Sequence, residues 1–450
     1  MNWKRHIGNK RMLDSAADAS RLPPRPHARL HLRISLAAGL SLLLAACASF
    51  TPEPLQNWPD PARIQSQTER GATVSAGILS DQEAEALYGV DLSAVGLQAI
   101  WLRVENRSAH SRWLMVSALD PNYFAPDEAA VLFYPVLVGD DEKRLTEHFR
   151  QLAIPLKTAS GEVTEGYVLA PRHEGGRYLT VSLIGRRHVL NFGFAITLPG
   201  DDFDFARLHP AKIYAGLEQP ELDLAQLREQ LLALPCCVAS AEGEAAGDPM
   251  NLVLIGNAND VMASLSRAGW SFSNVINFDT VRRMIGAAIS GAAYPVAPVS
   301  PLYFMDRPQD LALQRARNTI LQRNHLRLWL APFSLQGQHV WVGQVSRDID
   351  IKLTSSSSTL TTHVIDPNVD EAREHVLQSL LVAGAVARFG FVGGIEPSTP
   401  DNPHTNLSDD PYFTDGLRLV VLLSGSTTTA PEAVGFIEWR DSRDPVREAQ

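Results

Sequence analysis

Thirteen uncharged residues in a row, Ile34 to Ala46, run directly into Cys47, and that junction divides the chain in two. Arg25, Arg29 and Arg33 make the upstream flank basic. A membrane-spanning helix needs about 20 apolar residues, so this run is too short to cross a bilayer. A basic flank, a short apolar run and small residues before a cysteine instead make the pattern of an export signal. The plainer readings are a short core helix, or a secretory signal beside an incidental cysteine. Under either export reading, the 404 residues from Cys47 onward fold without the first 46.

The segment Leu44-Ala45-Ala46-Cys47 resembles the lipobox of bacterial lipoproteins. The resemblance implies acylation of the Cys47 thiol, cleavage before it, and acylation of the new amino group with chains such as palmitate. Each buried methylene contributes roughly 0.8 kcal/mol, so several chains on one residue anchor stably. Ala48 stands where an aspartate would signal inner-membrane retention, which points to the periplasmic face of the outer membrane. The polar leader of residues 1–24 is long for such a signal, and a start at Met12 would give a more ordinary length.

The first 46 residues hold eight Lys and Arg against two Asp and Glu; the remainder has 32 basic and 48 acidic residues, a net charge of −16. Such a surface repels nucleic acid and anionic headgroups, so neither is an expected partner. The membrane is expected as a partner through the lipid only. A chain of 404 residues exceeds one hydrophobic core, so two or three domains are expected. No second apolar run of 18 residues follows Cys47, and mean hydropathy is −0.08. The adjacent Cys236 and Cys237 are either a vicinal disulfide or two buried thiols. Without CxxC spacing they suggest neither a thioredoxin-like role nor zinc.

Composition divides the chain into a signal over residues 1–46, a lipidated tether over 47–70, a β-rich domain with a linker helix over 71–240, and an α/β domain over 248–440. The tether is rich in proline and polar residues. In the first domain Ile100, Leu102 and Val104 alternate with other residues, the signature of a strand. Further strands are expected at Trp113–Leu119, Val131–Val138, Tyr178–Ile184 and Val189–Leu198, with helices at Asp81–Tyr88 and Asp140–Leu152. A helix over Glu221–Leu234 is closed by Pro235. The second domain should alternate strand and helix. Strands are expected near 251–256, 326–330, 340–345, 362–365, 417–423 and 433–439. Helices are expected at 257–268, 279–290 and 370–383. The fold class expected is therefore mixed α+β: a sandwich-like β domain followed by an α/β domain with a mixed sheet.

Five segments of the second domain carry a resemblance. They are Pro298–Gln314 (PVSPLYFMDRPQDLALQ), His325–Trp329 (HLRLW), Val340–Asp348 (VWVGQVSRD), Thr362–Arg373 (THVIDPNVDEAR) and Tyr412–Gly416 (YFTDG). In this order they resemble the LssY-like C-terminal domain of bacterial proteins, over a span from near Asp248 to Leu423. LPCC at 234–237 and GDPMN at 247–251 resemble lipoprotein members of the same group. Met305-Asp306 departs from the pattern, which has a glycine before the arginine. The resemblance implies a fold and no established reaction.

These segments concentrate the residue types that do chemistry. Candidate catalytic residues are Arg307, Asp310, His325, Arg327, Asp348, His363 and Asp366, with Arg347, Asp370 and Arg373 nearby. His363, Asp366 and Asp370 offer metal-ligand atoms within eight residues, but no HExxH-type motif is present and Pro367 breaks their register. Asp366 reads equally as a cap for the following helix. No metal and no cofactor is expected. The arginines suit a bidentate clamp on phosphate or carboxylate, and suit plain ion pairing equally well. In HLRLW, alternation puts His325, Arg327 and Trp329 on one strand face, either a cleft wall or the solvent side. No GxSxG motif or P-loop supports nucleophilic or nucleotide chemistry. Two functions remain: a non-catalytic module binding a partner protein or anionic envelope ligand, or a phosphoester hydrolase with His325 or His363 as base.

Overall fold

The computed structural model describes residue 52 and residues 59–137, 139–173, 176–197, 208–241, 243, 247–273, 301–316, 323–353 and 361–439. Cys47 and the helix expected at 279–290 lie outside them.

Two four-stranded antiparallel sheets form the N-terminal part. The first has the order β1 (Gln65–Glu69), β2 (Ala72–Ile78), β3 (Leu97–Asn106) and β6 (Val163–Pro171). The second has β5 (Lys157–Thr158), β4 (Arg112–Leu114), β7 (Gly176–Ile184) and β8 (Val189–Thr197). Alternation along β2 and β3 sends Val74, Ala76, Ile100, Leu102 and Val104 to one face. There they meet Leu179, Val181, Leu190, Phe192 and Phe194 of the second sheet, which makes a β-sandwich. The sheets are also laced together where β1 meets β8, because the Gln65 and Gln67 side-chain amides donate to the Ala195 and Gly193 carbonyls.

The opposite face of the first sheet is covered as well. Helices α1 (Asp81–Tyr88), α2 (Pro126–Val131) and α3 (Asp141–Leu152) pack Leu87, Ala129, Leu145 and Phe149 onto Leu97, Trp101 and Leu169. α1 starts in a capping box made by Ser80 and Glu83 and ends at Gly89 with φ 69°, a left-handed conformation that glycine adopts at little steric cost. Burial on both faces explains why β3 is almost continuously inaccessible, where an amphipathic strand would expose every second residue.

The C-terminal part is built on one ten-stranded mixed sheet. Its long hairpin is β15 (Arg323–Leu335) and β16 (Gln338–Leu353). β14 (Leu311–Ala316) and β11 (Ser271–Phe272) extend it on one side; β10 (Leu252–Ile255), β21 (Arg418–Leu423), β18 (Val386–Val392) and β22 (Gly435–Phe436) extend it on the other. β17 (Thr361–Ile365) pairs with the far end of β16, and β9 (Glu221–Leu222) pairs with β15. The hairpin of β12 (Tyr303–Phe304) and β13 (Arg307–Pro308), and that of β19 (His404–Thr405) and β20 (Pro411–Tyr412), stand outside this sheet.

One face of the large sheet carries α5 (Ala258–Arg267) and α6 (Val369–Val382), through Val261, Leu265, Val376 and Leu380. The other carries α4 (Leu224–Ala233), through Leu227 and Leu231. α5 also packs on the outer face of the sandwich. Tyr178 of β7 lies 5.3 Å from the Phe272 ring and donates from its hydroxyl to the Asn259 carbonyl at 3.3 Å. Asn191 of β8 meanwhile bonds Ser426 and Thr428. The two halves are thus packed on one another.

Arg418 joins α4 to the large sheet. It is fully buried, and its guanidinium donates to the carbonyls of Leu231, Leu234, Pro235, Met250 and Gly393. Directly after this point Cys236 and Cys237 form a vicinal disulfide, with Cys236 exposed and Cys237 buried 3.9 Å from the Tyr412 hydroxyl.

Several elements differ from sequence expectation. Val131–Val138 is no strand; α2 ends there and a 3-10 turn at Tyr134–Val136 follows, since Pro135 has no N–H for a ladder. The strand from Trp113 stops at Leu114, and Val116–Leu119 is a helical turn. Of 433–439, only Gly435–Phe436 pairs, along the sheet edge. β1, β2 and β6 were not expected, and β1 begins inside the stretch read as tether. β1 alternates polar side chains on an exposed edge, and β6 is interrupted by Gly166, so neither has an apolar repeat to mark it.

Candidate functional site

Strand alternation does bring Arg323, His325, Arg327 and Trp329 onto one face of β15. Registers Arg327↔Gln344 and His325↔Ser346 set Gln344, Ser346 and Asp348 of β16 beside them, and Gln314↔His325 adds Gln314 from β14. This face is neither solvent-facing nor a cleft wall among the described residues. Arg323, His325, Arg327 and Asp348 are 3%, 5%, 8% and 3% exposed, and Gln314 and Gln344 are fully buried. At the Trp329 end the strip runs into apolar core, against Phe304.

The strip is internally paired. His325 Nε2 lies 2.5 Å from Asp348 Oδ2. Arg323 sits 3.5 Å from the same carboxylate and donates to Gln314 Oε1 at 2.7 Å. Arg327 donates to Gln344 Oε1 at 3.0 Å; Gln344 passes the chain on to Asp248 at 3.0 Å, and Asn406 donates to the other Asp248 oxygen at 2.8 Å. Burial, together with Arg323 and Arg327, holds the His325 imidazole well below the ordinary histidine range, so it is neutral and donates its Nε2–H to Asp348. Burial lowers Arg327 to about 10, still charged at neutral pH. It raises the Asp248 carboxyl, against the pull of Asn406 and Arg327.

Arg307 and Asp310 form a separate group. Arg307 donates to both Asp310 oxygens at 3.0 and 3.3 Å, to the Leu330 carbonyl at 3.0 Å and to the Tyr214 hydroxyl at 3.2 Å. Asp310 in turn accepts the Leu330 amide at 2.7 Å. The pair clasps the β12–β13 hairpin onto β15, where the β15–β16 register shifts between Leu330 and Ser334. Burial raises the Asp310 carboxyl.

The remaining candidates work at the start of α6. Asp366 accepts from Arg347 at 3.4 Å and from the Asn368 amide at 3.1 Å, a local turn that precedes the helix, whose N-cap is Asn368. Asp370 accepts from Thr414 and the Asp415 amide, and Arg373 pairs with Asp415 at 2.7 Å. Asp366 and Asp370 thus turn to different partners, and His363 lies in β17 with its side chain outside the described atoms. Among the described residues no three His, Cys, Asp or Glu side chains converge as metal ligands. The depression lined by Lys143, Arg144, Glu147, His148 and Gln151 is an open hollow of about 400 Å³ on α3, distant in sequence from every candidate.

Sequence reasoning missed Arg323, Gln314, Gln344, Asp248 and Asn406. Period-two alternation from His325 could have found Arg323. Asp248 and Asn406 carry no local signal, because they reach the strip from separate loops.

The five segments behave as three contacts. PVSPLYFMDRPQDLALQ closes on HLRLW through the β14–β15 pairing and the Trp329 indole, which donates to the Arg307 carbonyl at 3.1 Å; HLRLW pairs with VWVGQVSRD; THVIDPNVDEAR receives YFTDG through Asp370, Arg373 and the 2.8 Å bond from the Phe413 amide to the Pro367 carbonyl. Residues 233–417 match the family model described as LssY C-terminus. The C-terminal part is an LssY-like domain. The search of curated proteins found no match. The departure at Met305-Asp306 has a structural explanation within this domain. Both residues are left-handed, with φ 51° and 57°, in the two-residue turn of the β12–β13 hairpin. A glycine fits that turn without strain, and aspartate is among the side chains that tolerate it best.

Proposed function

We propose that the protein is a bacterial envelope lipoprotein, cleaved before Cys47 and anchored by acyl chains on that residue at the periplasmic face of the outer membrane. Its exported part is a non-catalytic module that binds a partner protein or an anionic envelope ligand. The observation that carries the non-catalytic reading is the closed pairing of Arg323, His325, Arg327 and Asp348, each less than a tenth exposed. A hydrolase needs its base within hydrogen-bond reach of substrate. His325 instead spends its Nε2 on Asp348, and Arg307 is committed to Asp310 and the Leu330 carbonyl. No helix among the described residues is long and apolar enough to cross a membrane, so membrane attachment on this reading rests on the lipid.

Fractionation of cells carrying wild-type chain or Cys47→Ser tests the anchor. Wild type should stay with membranes through salt and carbonate washes, and its N-terminal peptide should carry acyl mass. Cys47→Ser should give an uncleaved or soluble product; unchanged membrane recovery would overturn the anchor. Phosphoester turnover that disappears in His325→Gln while the fold persists would overturn the non-catalytic reading.

A further inference from the structure

Several buried arginines in this protein are matched by acceptors. Arg177 has Asp120 at 2.6 Å, Arg373 has Asp415, Arg323 has Asp348, and Arg418 has five carbonyls. The guanidinium nitrogens of Arg267 in α5 have no hydrogen-bond partner among the described residues, and Arg112, which opens β4, is also poorly matched. It is 5% exposed, and no carboxylate is paired with it among the described residues. Its Nη1 lies 3.2 Å from Nε2 of His188 and its Nη2 lies 3.5 Å from the Arg70 carbonyl, while its Nε–H has no partner.

Arg70 sets a second cation near both side chains. Arg70 sits in the β1–β2 turn, and Arg186, Arg187 and His188 form the β7–β8 turn. The nearby acid, Glu69, is taken by Arg70 at 3.4 Å. Gly185 makes the close approach feasible, since a Cβ there would lie 2.4 Å from Nη1 of Arg112. Burial, then Arg70, lowers Arg112; burial, then Arg112 and Arg70, lowers His188. A buried guanidinium without a counter-charge is costly in free energy. An anion that accepts from Arg112 and from a protonated His188 supplies the missing charge.

We propose that Arg112 and His188, flanked by Arg70, form a binding site for an oxyanion of the phosphate class. Without ligand, His188 accepts from Arg112 and its ring is neutral. With ligand, the imidazole takes up a proton and both side chains donate to the anion. Free phosphate and the phosphodiester of a lipid headgroup share this chemistry. The proposal rests on the reading of the exported part as a binding module, and it is independent of the lipid on Cys47.

The test uses the full chain in detergent with ¹³C-labelled histidine rings, the His188 signal being the one absent from His188→Asn. Inorganic phosphate replaces chloride at constant ionic strength, and a parallel arm adds vesicles of phosphatidylglycerol or of phosphatidylcholine. The site requires the His188 titration to move to higher pH. Movement with free phosphate identifies a small oxyanion; movement only with phosphatidylglycerol identifies a headgroup. Measured by isothermal titration with inorganic phosphate, or by co-sedimentation with the phosphatidylglycerol vesicles where only those move the signal, His188→Asn should bind roughly tenfold more weakly than wild type, the loss of one charge-assisted hydrogen bond. Arg112→Lys, checked for an intact fold, should abolish the His188 response. A His188 titration identical in phosphate, chloride and both vesicle preparations overturns the site. That failure would leave the fractionation of Cys47→Ser and the His325→Gln turnover assay unchanged, so the two readings fail separately.

Discussion

Asp348 holds His325 at 2.5 Å inside a sheet face where both residues are almost wholly inaccessible. The imidazole is kept neutral there by burial and by Arg323 and Arg327, whereas in the unfolded chain it titrates near ~6.5. Below that pH the unfolded state takes up a proton that the folded state refuses. This contribution to stability is therefore present above pH ~6.5 and is lost as pH falls, by up to about 1.4 kcal/mol per pH unit. Urea midpoints measured between neutral and mildly acidic pH should decline more steeply for wild type than for His325→Gln. His325→Leu, which has no donor, should be weaker at neutral pH by about 1–3 kcal/mol, because Asp348 loses the imidazole as a donor. Equal acid slopes in wild type and His325→Gln would rule out a neutral buried His325.

Arg418 ties α4, the strand entering at Met250 and the Gly393 turn to β21 through five carbonyls. Arg418→Met keeps apolar volume and leaves those acceptors without their donor. The expected loss is about 3–5 kcal/mol, visible as a fall of several degrees in Tm. Arg418→Lys should fall between the two, since its three donors lack the fork geometry. A methionine variant as stable as wild type would remove Arg418 from the joint.

The Met305-Asp306 turn offers a gain. Each residue is left-handed without being glycine, and Met305 is 38% exposed, so little packing is lost on replacement. Met305→Asn with Asp306→Gly installs the pair preferred in two-residue hairpins, and stability should rise by about 1 kcal/mol. Thermal melting gives the answer directly; a lower Tm would show that the Met305 side chain contributes contacts that outweigh the strain.

Local sequence specified the elements whose signal is local. The range Asp81–Tyr88 matches α1, Pro235 follows the end of α4, and Ile100, Leu102 and Val104 mark β3 by alternation. The same logic placed His325, Arg327 and Trp329 on one face, and the ordered segments from Pro298 to Gly416 carried the family resemblance. Alternation states which residues share a face. It does not state what covers that face.

Tertiary structure decided the covering. Asp248 and Asn406 arrive from loops far apart in the chain to complete the Arg327–Gln344 chain, and the helices α1, α2 and α3 turn β3 into an interior strand. Whether Arg307, Asp310, Asp348 and Asp366 formed a cleft or closed pairs was equally a matter of distance in space, and they close on separate partners. The cationic pocket of Arg112 and His188 has no linear signature, because β4, the β1–β2 turn and the β7–β8 turn meet only when the sandwich closes. Strand period and the proline after α4 were legible in the sequence, because they depend on neighbours within a few residues. Burial, charge pairing and the unmatched arginine depend on contacts between residues tens to hundreds of positions apart, which only the folded chain brings together.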